Sequence, residues 1–86
     1  MKATELFPTP ILYTADRQQI SLEKIQEWID QQKGCSMSRG GYDQLCDPSW
    51  AKDYERVTLF PLNAKGYQVG MKPWTIYMPT GLTRAA

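Results

Sequence analysis

Histidine is absent from the 86 residues, and cysteine occurs only at Cys35 and Cys46. Without histidine, a general base must be a carboxylate or a lysine, and a thiol nucleophile lacks its usual activating partner. Two thiols alone do not complete a structural zinc site, so no metal and no cofactor are expected. A Cys35–Cys46 disulfide would contribute about 2.5–3 kcal/mol in the chain-entropy model. In a cytosolic protein the expectation is two reduced thiols instead. Asp47 follows Cys46, and a negative neighbour disfavours the thiolate. The chain reads as non-enzymatic.

Long apolar runs are also missing. No stretch approaches the ~20 apolar residues that span a bilayer. The first residues reach Glu5 and then Pro8 and Pro10, without an apolar run of signal-peptide length. The expected location is the cytoplasm. Charge of one sign is lacking too, with ten Lys and Arg against nine Asp and Glu. A duplex-DNA binder normally carries a basic excess, and a DNA mimic the reverse. Gly40-Gly41 is followed by no Gly-Lys-Ser/Thr, so no phosphate loop is present. Arg39-Gly40-Gly41 is a single unit of the RGG type and carries little weight. Asp43, Asp47, Asp53 and Glu55 lack the alternating ligands and loop glycine of a calcium hand. They read as a solvated acidic face.

What remains is an ordinary small domain. A hydrophobic content of 42% suits a globular chain, and this length buries only roughly 60–65% of the unfolded surface. Residues 1–86 read as one domain, with a loop-rich insertion at 34–53 and a frayed tail at 82–86. Ala3–Pro10 is expected to be an extended lead-in, because Pro8 and Pro10 disfavour helix at the residues before them. Ile11–Thr14 has the makeup of a short strand, and Asp16–Gln19 of a turn.

The clearest element is a helix over Leu22–Lys33. Ser21 is a suitable N-cap, and Ile20 with Ile25 forms a hydrophobic staple. Leu22, Ile25, Trp28 and Ile29 draw an apolar stripe at helical spacing. Gly34 is the expected left-handed stop. Asp47-Pro48 then reads as an N-cap before a short helical turn through Trp50 and Ala51.

The last third alternates as strands do. Tyr54–Phe60, Tyr67–Met71 and Trp74–Met78 are the expected strands, separated by the turn Pro61–Gly66 and by Lys72-Pro73. The fold class is therefore α+β, a small single-layer antiparallel sheet of three to four strands packed on one amphipathic helix. The element order is β-α-β-β-β with an extra short helix. The helix-facing side carries Val57, Leu59, Tyr67, Val69, Met71, Trp74, Ile76 and Met78.

Alternation then sends Tyr54, Arg56, Thr58 and Phe60 to the other side, joined by Gln68, Lys72 and Tyr77. Tyr and Arg are enriched where protein partners bind most strongly. The candidate partner-binding residues are thus Tyr54, Arg56, Phe60, Gln68, Lys72 and Tyr77, with Arg56 and Tyr77 expected to tolerate substitution. The expected function is a protein-binding module, an inhibitor or adaptor of phage or mobile-element type that acts by surface occlusion. One alternative is a single-strand nucleic-acid binder that stacks bases on the same face. Another is a structural subunit of a homo-oligomer joined through edge strands. A plainer reading packs Phe60 or Tyr54 beneath the 34–53 segment.

Overall fold

Ser21 begins the main helix as its side chain suggests. Its Oγ accepts from the Lys24 N–H at 3.2 Å, and helix α2 runs Leu22–Asp30. In the computed structural model, which describes residues 2–66 and 73–79, α2 ends one turn earlier than the spacing predicts. Gln31 caps it in a right-handed conformation, and Gln32 Nε2 donates back to the Trp28 carbonyl at 2.9 Å. Gly34 is therefore not a left-handed stop but the first residue of a strand. The side-chain amide of Gln32 satisfies a carbonyl that a longer helix or a glycine cap would otherwise serve.

Ahead of α2 lies a helical turn, α1 (Ala3–Leu6), where an extended lead-in was expected. Pro8 restricts Phe7, which is extended, but leaves Ala3–Leu6 free to coil. The Ala3 N–H donates to Gln26 Oε1 of α2 at 2.7 Å, and Leu6 and Phe7 enter the core.

Among the described residues, five antiparallel strands form the sheet: β1 (Leu12–Tyr13), β2 (Gln19–Ile20), β3 (Gly34–Gly40), β4 (Tyr54–Leu62) and β5 (Trp74–Pro79). Their spatial order is β2-β1-β5-β4-β3. The domain is α+β with an antiparallel sheet, as the patterning implies, but strand count and order differ. β2 comes from the expected turn. A Thr14–Arg17 turn, closed by Arg17 N–H to the Thr14 carbonyl at 2.9 Å, places Arg17 at φ 62°, as in three-residue hairpin loops. β3 comes from the first third of the expected 34–53 loop. Its glycines and serines have little strand propensity, yet the backbone pairs with β4 from Gly34↔Leu62 to Gly40↔Arg56. Pairing supplies what propensity does not.

Expected strand Tyr67–Met71 and tail 82–86 lie outside the described residues. The expected Tyr54–Phe60 strand continues through Pro61 to Leu62. Leu12, Ile25, Ile29, Val57, Leu59, Ile76 and Met78 form the core between sheet and helices. Trp28 meets Trp74 at its margin, with ring centroids 5.4 Å apart. No helix among the described residues is long and apolar enough to cross a membrane.

Candidate functional site

The side of the sheet away from α2 carries the candidate residues. Period-two alternation and the registers Arg56↔Tyr77, Gly40↔Arg56 and Tyr13↔Tyr77 place Tyr13, Gly40, Tyr54, Arg56 and Tyr77 together there. Segment 41–53 folds over this end of the sheet, ending in a 3₁₀ turn at Ser49–Asp53. Asp47, expected to be a helix cap, instead turns its carboxylate onto the sheet, and Pro48 occupies the cap position.

Asp47 is the bolt of this cover. Its side chain is 2% exposed and accepts from the Asp43 N–H at 2.8 Å, from the Tyr77 hydroxyl at 2.9 Å and from Arg56 Nη1. A buried carboxylate is tolerable only when its lone pairs are met, and these three donors meet them. The expected solvated acidic face is thus incorrect for Asp47. Glu55 is likewise engaged, with Arg39 Nη1 at 2.9 Å. Among the described residues, no three Cys, Asp or Glu side chains gather as a cation site.

Trp50 wedges into the same cover. Its ring lies 5.2 Å from Tyr77, 5.3 Å from Tyr54 and 6.4 Å from Tyr13, always edge to face, and Arg17 lies over it at 5.7 Å. Gly40 lies beneath Arg56, where a methyl would come within 2.6 Å of Arg56 Nη2, so the end of the guanidinium would have to shift to admit one.

The exposure expected of this face is therefore corrected. Tyr77 is 3% exposed, because the cover removes it from water, and its hydroxyl pKa is pushed up to about 12 by burial and by Asp47. Arg56 is ion-paired and Tyr54 lies against Trp50, so both belong to the packing of the cover. Tyr77, expected on the open side of the sheet, is instead buried, and truncation of a buried aromatic side chain is expected to be costly. Phe60 stands apart on β4, half-buried, outside this cluster. Gln68 and Lys72 lie outside the described residues. Cys35 packs against the core on the α2 side, while Cys46 is exposed on the covering segment, so the two free thiols sit on opposite sides of the sheet. Burial raises the Cys35 pKa, and the Asp43 carboxylate raises that of Cys46.

The residue that sequence reasoning overlooked is Leu45. It is 95% exposed, and its N–H donates to Asp43 Oδ1 at 2.9 Å. The Asp43 N–H in turn donates to Asp47, so this apolar tip rests on the buried carboxylate. One signal was available: Leu45 is the lone aliphatic residue in the polar run Gly40–Asp47. No protein-family model matches the chain, and neither the curated proteins nor the solved structures contain a significant match to it.

Proposed function

We propose that this protein is a non-enzymatic protein-binding module whose working surface is the covering segment, with Leu45 as its anchor. The reading rests on one observation: a leucine that is 95% exposed on a segment held by a buried carboxylate. An isolated surface leucine is ordinary. A leucine presented on a braced turn loses little further freedom on binding, which favours affinity. The ionisable groups beneath it support the same reading, since the acceptors of Asp47 are directed inward to hold the segment. Partner occlusion by an inhibitor or adaptor fits such a display.

The test is quantitative affinity capture from source-cell extract with immobilised wild type and Leu45→Asp. A partner retained by wild type and reduced at least about tenfold by Leu45→Asp, with unchanged melting, is the expected result. Equal capture by both proteins would remove Leu45 from the interface.

A further inference from the structure

Both oxygens of the Asp47 carboxylate are gripped. Oδ1 accepts from the Tyr77 hydroxyl at 2.9 Å, and Oδ2 accepts from the Asp43 N–H at 2.8 Å and from Arg56 Nη1. A cation, a hydroxyl and an amide thus converge on one buried carboxylate, the donor set that recognises this group in a bound ligand. Tyr77 remains a neutral donor at ordinary pH, since its pKa is pushed up to about 12.

Two of these donors are placed by the sheet rather than by Asp47. Arg56 and Tyr77 face each other in the β4–β5 register, so both side chains leave the same side of neighbouring strands. The Trp50 ring, 5.2 Å from that of Tyr77, stands edge to face against it and limits its swing. The end of the Arg56 guanidinium lies over Gly40, which has no side chain to displace it. A carboxylate is therefore not required to bring Arg56 and Tyr77 to one point.

The site is also reachable. A cleft of about 440 Å³, lined by Tyr42, Gln44, Asp47, Ser49 and Lys52, runs into the covering segment as far as Asp47. Asp47 is the single acidic residue in that lining and Lys52 the single basic one. With the Asp47 charge removed, the lining keeps an ammonium and gains the guanidinium behind it, an environment that favours an anion.

We propose that Arg56, Tyr77 and the Asp43 amide form a carboxylate-binding site that Asp47 occupies from within the chain, and that the same donors accept a free monocarboxylate once Asp47 is withdrawn. The Asp47 contact is in this sense autoinhibitory. A tethered carboxylate has a high effective concentration, so the wild-type chain keeps its own side chain in the site. The site is separate from the Leu45 surface, and either can fail without the other.

Asp47→Ala vacates the site and leaves all three donors in the chain. Formate, a carboxylate with no side chain, is the probe. In urea denaturation of the full-length variant, sodium formate should raise the midpoint beyond the effect of sodium chloride at equal ionic strength, and the rise should saturate. At about ten times its dissociation constant, formate should lower the unfolded-to-folded ratio about tenfold. Wild type, whose site is filled, should respond to the two salts alike. Asp47→Ala combined with Arg56→Met should lose the formate-specific response. If Asp47→Ala does not fold in chloride, formate should restore its folded tryptophan emission. Equal responses of Asp47→Ala to the two salts, a formate-specific response in wild type or in the Arg56→Met combination, or a variant that stays unfolded in formate would each overturn the proposal.

Discussion

The Tyr77 hydroxyl donates to Asp47 Oδ1 at 2.9 Å across thirty positions of sequence, and that bond joins the covering segment to the centre of the sheet. Arg56 approaches the other oxygen of the same carboxylate. One side chain thus fastens a loop to two neighbouring strands. Tyr77→Phe removes one donor from a buried carboxylate and should cost about 1.5–3 kcal/mol. Asp47→Ala should cost more, because it strands both Tyr77 and Arg56. In a double-mutant cycle by urea denaturation, the Tyr77→Phe and Asp47→Ala effects should couple by about 0.5–3 kcal/mol. Strict additivity would mean that the bond contributes nothing.

Stability should also depend on pH through the same tyrosine. Its folded pKa is pushed up to about 12, above the ordinary value of 10, so folding favours the neutral phenol. The contribution is complete below about pH 10 and is lost as pH rises through about 12. Wild type should therefore lose stability more steeply over that interval than Tyr77→Phe, which has no hydroxyl to ionise. Parallel declines for the two proteins would show that Tyr77 does not titrate with folding.

The start of α2 offers a local test. Ser21 Oγ meets the Lys24 N–H, so Ser21→Ala should lower stability by about 0.5–2 kcal/mol. Glu27→Ala, on the exposed side of the same helix, should change it by less than about 0.5 kcal/mol. Equal shifts in denaturation midpoint would deny the cap its role.

Several features of this fold are written in short stretches of chain. Ser21, Ile20 and the stripe through Ile25 and Ile29 specify where α2 begins and which side it buries. Alternation along β4 separates Val57 and Leu59 from Tyr54, Arg56 and Phe60, because a strand turns each successive side chain to the opposite side. Tyr54 packing under the 34–53 segment was one of the readings available, and it is what occurs.

Other features exist only because distant residues meet. β3 has weak strand propensity of its own and takes shape by bonding to β4, whose backbone groups need partners. The end of α2 follows from that pairing, since the chain must leave the helix in time to enter β3. Asp47 looks like a cap before proline when its neighbours in sequence are the only guide. Its actual partners, Arg56 and Tyr77, come within reach only after β4 and β5 align. Local propensity and periodicity determined the helix and the two sides of the sheet. Long-range hydrogen bonding decided which side is covered and where Leu45 is displayed, because a buried carboxylate must find its donors wherever the fold supplies them.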